Sequence, residues 1–128
     1  MCSISGVIRG TKKQISSMIE IQKHRAPDDS GYYLDKNIAL GMGRLKIIDL
    51  YSKNLCPRME DNLVLCFNGE IYNYLEIKNQ LKSKHKFSTT SDTEVLIKSW
   101  KEYGTETLKL LNGMFAFSIY NTKKKKYI

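Results

Sequence analysis

The sequence has no long apolar run and few cysteines, and each shortage excludes a class of protein. No stretch approaches the roughly 18 consecutive apolar residues that a membrane-spanning helix needs. The N-terminus also lacks the basic and then apolar layout of a signal peptide, so we expect a cytoplasmic protein. The cysteines form no CxxC pair and no cluster with histidine, which argues against a disulfide framework and against a zinc site. They are Cys2, Cys56 and Cys66.

Acidic residues are outnumbered, with 13 Asp and Glu against 21 Lys and Arg and a formal net charge of +8. An excess of basic residues is one property of proteins that bind nucleic acids. Such sites usually combine clustered arginines with aromatic side chains, whereas the lysines here are scattered except at 123–126. A solvated, lysine-rich surface is therefore the favoured interpretation, and a nucleic-acid-associated domain stays as the less favoured one.

A chain of 128 residues is long enough for one domain with one core. The spacing of apolar residues predicts strands at 2–10, 31–35, 37–50, 63–73 and 113–121, and helices at 11–25, 72–84, 91–104 and, as a short turn, 105–111. The intervening polar segments are predicted to be loops at 26–31 and 53–62. Hairpin-like strands with inserted helices indicate an α+β fold, with mainly antiparallel sheets and helices on their faces.

Short signals predict where several elements begin and end. Thr11 is a candidate N-cap of the first helix, and Ser91 or Asp92 can cap the third. Gly104 is expected to end that helix. Tight turns are predicted at 36–37 and at 68–69, where an Asn-Gly pair follows an apolar strand.

Cys2 stands directly after the initiator methionine, which makes it a candidate nucleophile. Cysteine is small enough for removal of Met1 to be expected, and the α-amine of the cysteine would then be free. Because an α-amine has a pKa near ~8, it can accept the thiol proton and act as a built-in general base. The alternative is that Cys2 is a small core residue of an N-terminal strand.

The segment FNGEIYN carries the second candidate group. The side-chain amide of Asn68 and the backbone N–H of Gly69 can converge on one point and form an oxyanion hole. An ordinary turn at an Asn-Gly pair is the alternative. Glu70, which follows directly, has no evident role in a plain hairpin.

Two further charged residues complete the candidate site. Arg44 is one of four arginines in a lysine-dominated chain, and arginine offers a planar fork that suits a carboxylate. A structural ion pair, for example with Asp49, is the alternative. Asp92 can cap a helix, and it can also hold the ammonium group of a ligand.

Several stretches of the chain occur together, and in the same order, in one known family. They are MCSISGVI, HRAPDDSG, RLKIIDL, FNGEIYNYLEIK, SDTEVLIKSWKEYG and LNGMFAFSIYN. With these stretches the chain resembles the N-terminal glutaminase domain of glutamine-hydrolysing asparagine synthetases, a class II glutamine amidotransferase with the N-terminal-nucleophile hydrolase fold. The resemblance implies an αββα sandwich, in which antiparallel sheets are flanked by helices.

The same resemblance implies a role for each candidate residue in the hydrolysis of L-glutamine. In this reaction Cys2 is the nucleophile, and Asn68 and Gly69 form the oxyanion hole and also contact the substrate. Arg44 binds the α-carboxylate, and Glu70 and Asp92 bind the α-ammonium group. The glutaminase reaction needs no metal or other cofactor. ATP and Mg²⁺ serve only the synthetase domain or subunit, which receives the ammonia in the family.

Three positions depart from the usual pattern of the family. Ser3 stands where a glycine usually follows the cysteine, and Ala26 stands where the motif usually reads HRGPD. The pair at 42–43, Met-Gly, replaces a polar and basic pair before the arginine. These positions flank the site and leave every named residue in place.

Residues 1–128 are expected to form a C-terminally incomplete glutaminase domain. No Ser-Gly-Gly pyrophosphate loop of a synthetase domain is present, and the family continues with further strands of the same sandwich. The strand at 113–121 is apolar on both faces, so we expect it to be central, to need pairing on both edges, and to be followed by a strand from 126. An unpaired edge predicts self-association or marginal stability, with weak or no activity of the isolated chain. The alternative is a degenerate glutaminase fold that acts as a non-catalytic binding or regulatory module.

Overall fold

The computed structural model describes residues 2–53 and 56–128. Met1, with its expected removal, and residues 54–55 of the predicted loop 53–62 lie outside the described residues. The strands are β1 (Ser3–Ile8), β2 (Asp29–Leu34), β3 (Ile38–Arg44), β4 (Arg58–Glu60), β5 (Leu63–Ile71), β6 (Gly113–Asn121) and β7 (Lys126–Tyr127). The helices are α1 (Lys12–Ile21), α2 (Tyr74–Leu81), α3 (Asp92–Tyr103) and a 3-10 helix (Gly104–Lys109). None of the helices described here is long and apolar enough to cross a membrane.

The first sheet has the strand order β1-β3-β2 and is antiparallel at both pairings. Its central strand, β3, is buried along its whole length, because it lies between two strands and is covered by α1. Ile15 of α1 is fully buried. The predicted N-cap is confirmed: the Thr11 hydroxyl accepts a bond from the Gln14 backbone N–H, and the Gln14 side chain accepts one from the Thr11 N–H.

The second sheet has the order β4-β5-β6-β7 and is also antiparallel. Helix α3 packs on β4 and β5, and α2 packs on α3. Of the two predicted caps, Ser91 is the N-cap of α3, since its hydroxyl accepts a bond from the Thr93 N–H at 3.1 Å. Gly104 ends the helix as predicted, with a φ of 57°.

The two sheets contact each other through β1, β3 and β5, and one continuous cluster of buried apolar side chains joins them to α2 and α3. The prediction of a mixed fold with antiparallel sheets and helices packed on them is therefore confirmed.

Asp35 links the β2–β3 turn to the second sheet. Its carboxylate accepts hydrogen bonds from the hydroxyls of Tyr33 (3.1 Å) and Tyr120 (2.9 Å), and from the backbone N–H groups of Asn37 (2.7 Å) and Ile38 (3.0 Å). Burial alone would raise the pKa of Asp35, but these donors outweigh burial and lower the pKa to about 2. The turn predicted at 36–37 is confirmed, and Tyr120 of β6 anchors it.

Three predicted boundaries are wrong. Asp29–Gly31 of the predicted loop 26–31 already belong to β2, whose polar residues are tolerated because β2 is an edge strand. The strand predicted at 37–50 ends at Arg44, and the apolar residues after it form a partly exposed loop. The predicted loop 53–62 contains β4, a three-residue edge strand that pairs with β5.

The turn predicted at Asn68-Gly69 is also wrong, because β5 continues through both residues to Ile71. In this part of the sheet Gly69 lies opposite Phe115 of β6. A Cβ atom at Gly69 would approach the carbonyl oxygen of Met114 to 2.3 Å, so only glycine lets the two strands approach this closely. Gly69 is therefore needed for the close approach of β5 and β6 and does not form a turn.

Strand β6 lies between β5 and β7 in the sheet, as predicted, but it is not buried on both faces. Met114 is 62% exposed, and only Ile119 and Tyr120 of this strand are buried. One edge of β6 pairs with β5 along nine residues, whereas the other edge pairs with the end of the chain only at 119–121. Among residues 2–53 and 56–128, no strand pairs with the rest of that second edge. The strand predicted from 126 is confirmed as β7.

Candidate active site

A small cleft lies where the start of β1, the end of β3, the second half of β5 and the N-terminus of α3 meet. Five of the six predicted site residues line this cleft, namely Cys2, Arg44, Gly69, Glu70 and Asp92. The remaining one, Asn68, is adjacent to the lining in β5. The cavity volume is about 20 Å³, which is room for about one water molecule. An amino acid needs more room than this, so side chains that line the cleft must move before it can admit one.

Cys2 is half-buried, directly before β1. Its thiol lies 3.8 Å from the carbonyl oxygen of Leu45. Burial raises the pKa of the Cys2 thiol, and the contact with Leu45 offsets this only in part. A thiol with a raised pKa stays protonated at neutral pH, so a nucleophilic role requires a nearby base.

The other two thiols are poorer candidates. Burial raises the pKa of Cys56 and of Cys66 to about 12 in each case. Cys66 is 1% exposed and belongs to the apolar core between the sheets. These two residues behave as small apolar side chains.

Arg44 is the last residue of β3 and is 4% exposed. Its guanidinium donates three hydrogen bonds to backbone carbonyl oxygens of the following loop: to Ile48 at 3.0 Å, to Asp49 at 2.6 Å and to Ser52 at 3.1 Å. The predicted alternative, an ion pair with the Asp49 carboxylate, is not present. Since a guanidinium has five N–H groups, these bonds leave donors for a ligand carboxylate. A bidentate contact requires some of the carbonyl bonds to be exchanged.

Asn68 carries an unsatisfied polar atom. Its side-chain oxygen Oδ1 is buried and has no hydrogen-bond partner within the described part of the chain. A buried polar atom left without a partner costs roughly 1–3 kcal/mol, so a side chain in this state favours any ligand or water that supplies a partner. The unpaired atom is an acceptor and calls for a donor from water or a ligand, whereas the predicted oxyanion role of Asn68 uses the N–H donors of the same amide.

Glu70 and Asp92 place two carboxylates at the cleft. Asp92 is 5% exposed, and its oxygen Oδ2 accepts a bond from the Ile71 N–H at 3.1 Å, which joins the end of β5 to the start of α3. Burial raises the pKa of both groups, and for Glu70 the negative charge of Asp92 raises it further. The salt bridges formed within residues 2–53 and 56–128 include neither carboxylate. A bound ammonium group would pair with these two carboxylates and reduce the repulsion between their negative charges.

The residues that depart from the family pattern pack against one another beside the site. Ser3 of β1 lies opposite Gly43 of β3 in the sheet register. A Cβ atom at Gly43 would lie 2.7 Å from the Ser3 hydroxyl oxygen and 2.8 Å from the Ala26 Cβ. Two residues larger than glycine therefore occupy the space that a side chain at Gly43 would need. Ser3, Ala26 and Gly43 thus form one packing unit, directly before Arg44 in β3.

The larger cavities hold none of the predicted site residues. An open cavity of about 280 Å³ lies between β1 and the second sheet and is lined mainly by apolar side chains. The part of the chain that the structure describes contains no group of three or more His, Cys, Asp or Glu residues that could hold a metal ion. The small cleft is therefore the candidate site, because it gathers the chemically capable groups.

The sequence predicts no role for Asp49 beyond pairing with Arg44. In the structure its carboxylate accepts bonds from the backbone N–H and hydroxyl of Ser52 at 2.8 and 2.7 Å, and from the Thr90 N–H at 2.8 Å. No sequence signal reveals this role, because Asp49 and Thr90 are 41 residues apart and neither belongs to a helix or strand.

The family model and three of the curated relatives that match this chain all belong to glutamine-dependent enzymes by their descriptions. A family model described as a glutamine amidotransferase domain matches residues 1–128. Asparagine synthetase [glutamine-hydrolyzing] 1 of Bacillus subtilis is 43% identical over 111 residues, which cover 85% of this chain and 17% of that protein. Asparagine synthetase [glutamine-hydrolyzing] 2 of Oryza sativa is 40% identical over 135 residues, which cover 100% of this chain and 23% of that protein.

The Escherichia coli asparagine synthetase B [glutamine-hydrolyzing] is 35% identical over 135 residues, which cover all of this chain and 24% of the relative. The chain thus spans about a quarter or less of the length of these three curated relatives. The predicted resemblance to glutamine-hydrolysing asparagine synthetases is confirmed by these matches.

Proposed function

The chain belongs to the glutamine amidotransferase domain family, and from this premise we propose that it hydrolyses L-glutamine to glutamate and ammonia with Cys2 as the nucleophile. The observation that carries the proposal is the arrangement of the cleft. A thiol, a guanidinium and two carboxylates without a salt bridge converge there from four separate segments of the chain. A free amino acid with a reactive side-chain amide has complementary groups for all of them.

The charged groups suit the two ends of an amino acid. Arg44 offers its remaining N–H donors to the α-carboxylate, and Glu70 and Asp92 accept the α-ammonium group. Because burial raises the pKa of both carboxylates, a cation between them would favour their charged forms. Opposite charges at separate positions fix the direction of the substrate, so that its side-chain amide reaches Cys2.

In the proposed reaction, the free α-amine of Cys2 takes the thiol proton, and the sulfur attacks the amide carbon of glutamine. The Asn68 amide and the Gly69 N–H stabilise the oxyanion, and each such donor is typically worth roughly 3–4 kcal/mol. The ammonium proton passes to the amide nitrogen, ammonia leaves and a thioester remains. Water then cleaves the thioester to give glutamate and restores the thiol. Cys2 has this amine only after removal of Met1, and no step uses a metal or cofactor.

We propose the finer architecture on the same basis. The contacts of α1 with the first sheet, of the sheets with each other and of α3 with the second sheet support an αββα sandwich of the N-terminal-nucleophile hydrolase type. The names of the relatives support a further proposal for the product. Ammonia would pass to a synthetase domain or subunit that makes asparagine, with ATP and Mg²⁺ used there and not at Cys2.

The two alternative functions have less support. A non-catalytic binding module would not need a thiol among the charged groups of the cleft, and each relative named above is a glutamine-hydrolysing enzyme by its name. The only support for a nucleic-acid-associated domain is the net positive charge of the chain.

Covalent labelling tests the proposal. The diazoketone analogue of glutamine should label Cys2 in protein shown to lack Met1, and should spare Cys56 and Cys66. Excess glutamine should protect Cys2 from labelling, whereas excess asparagine or alanine should not. Equal labelling of all three thiols, or labelling that glutamine does not slow, would refute the assignment.

A further inference from the structure

The loop at 45–52 connects the two charged ends of the cleft. Three of its carbonyl oxygens hold the Arg44 guanidinium, as described above. The same loop bonds to the segment before α3 through Asp49, whose Oδ2 accepts the Thr90 N–H at 2.8 Å. Thr90 stands two residues before Asp92, so a short bonded path runs from the guanidinium to the carboxylate.

We propose that Asp49 is a positioning residue for substrate binding: it fixes the Arg44 guanidinium relative to Asp92 and so sets the distance between the carboxylate and ammonium subsites. This inference rests on the proposed function. Asp49 is not among the residues that line the cleft, and its carboxylate acts through the loop and Arg44. Its contribution lies in preorganisation: the held loop keeps the remaining N–H donors of Arg44 at a fixed position, so a ligand carboxylate that meets them loses less freedom on binding.

The backbone at Asp49 agrees with this role. Its φ is 58°, in the left-handed region that residues other than Gly, Asn and Asp rarely adopt. This conformation turns the Asp49 carbonyl oxygen toward Arg44 while the carboxylate bonds to Ser52 and Thr90. Burial alone would raise the pKa of Asp49, but the bonds from Ser52 and Thr90 lower it to about 2, so the carboxylate is charged throughout the physiological range.

The substitution Asp49→Gly removes the carboxylate and tolerates the left-handed backbone. Asp49→Asn tolerates the same backbone and keeps one carbonyl acceptor, so it should retain part of the function. A matched control is Asp61→Gly, because Asp61 also has a left-handed φ, 51°, but lies in the β4–β5 turn at the other end of β5.

The experiment measures covalent labelling of Cys2 in the 128-residue chain lacking Met1, and it needs no turnover. With the diazoketone analogue of glutamine, Asp49→Gly should raise the half-saturating concentration about tenfold, the equivalent of one well-placed hydrogen bond, and leave the maximal rate within about twofold. Asp49→Asn should raise it by about threefold, and Asp61→Gly should not change it. Iodoacetamide, which has neither charged group of an amino acid, should label all four proteins at the same rate.

A double substitution tests whether Asp49 acts through the guanidinium. In an Arg44→Lys background, Asp49→Gly should change the half-saturating concentration less than about twofold, because the fork that it positions is gone. A tenfold effect that persists in this background would overturn the proposal. An unchanged half-saturating concentration in Asp49→Gly would overturn it as well. A lowered value would also overturn it, because it would show that the loop obstructs the cleft. Wild-type protein that is never labelled at Cys2 by the analogue would instead refute the proposed function, and the inference with it.

Discussion

The packing of Gly43 against Ser3 and Ala26 makes a quantitative prediction. In Gly43→Ala the new methyl group would lie 2.7 Å from the Ser3 oxygen and 2.8 Å from the Ala26 Cβ, where ordinary contacts are near 3.4–4 Å. Overpacking of this kind costs typically 1–3 kcal/mol. Loss of glycine entropy from the unfolded chain offsets up to about 1 kcal/mol. We therefore expect Gly43→Ala to lower the free energy of unfolding by about 1–2 kcal/mol.

The cost should depend on the two neighbours. In a Ser3→Gly, Ala26→Gly background the space is vacant, so Gly43→Ala should become neutral or stabilising. Urea unfolding followed by circular dichroism measures both halves of this cycle, and the melting temperature should fall by roughly 4–7 °C in the single variant.

Gly6→Ala is the matched control, because Gly6 is also paired within the β1–β3 ladder but its nearest contact is the end of the flexible Leu40 side chain at 3.3 Å. This variant should change the free energy of unfolding by less than about 0.5 kcal/mol. If Gly43→Ala costs the same in both backgrounds, the three positions are not one packing unit and the reasoning is wrong.

Four further predictions concern the site, acid stability and the open edge of β6. Arg44→Lys keeps the charge and loses the fork, so the KM for glutamine should rise sharply; an unchanged KM would make Arg44 purely structural. Asn68→Ala should mainly lower kcat, because its bond to the oxyanion forms in the transition state, and a pure KM effect would contradict this. Since the pKa of Asp35 falls from 3.8 to about 2 on folding, its contribution of about 2 kcal/mol is present above pH 4 and lost as the pH falls toward 2; in Asp35→Asn, acid unfolding should be correspondingly shallower. Self-association through the unpaired edge of β6 should appear in sedimentation velocity as a concentration-dependent species that Ala116→Lys weakens, and a strict monomer at all concentrations would exclude it.

Much of the fold follows from local signals in the sequence. Local patterns predict Thr11 and Gly104 as helix ends and restrict the N-cap of α3 to Ser91 or Asp92, because these effects depend on backbone groups only a few residues away. The burial of β6 cannot be predicted in this way, for the opposite reason. Its apolar side chains alternate in a regular way, but whether each face is covered depends on distant elements, and Met114 is mostly exposed.

The candidate site was predictable as a set of residue types and not as a geometry. The resemblance to the family indicated Cys2, Arg44 and Asp92, and the structure brings them to one cleft. It did not indicate that the Arg44 fork is already bonded to loop carbonyls. It also did not reveal the path through Asp49, since that path depends on a left-handed backbone and on a contact between two loops.

The nine-residue pairing of β5 with β6 has a consequence for the order of folding. It joins 63–71 to 113–121, and the whole of α2 and α3 lies in the segment between them. Helices form from contacts between near neighbours within about a microsecond, whereas closing a long segment carries an entropic cost that slows the pairing of distant strands. The backbone at Asn68 and Gly69 acquires its pairing to β6 only in that late step. The capacity to bind a glutamine analogue should therefore appear during refolding no earlier than the sheet, and well after the helical signal has returned.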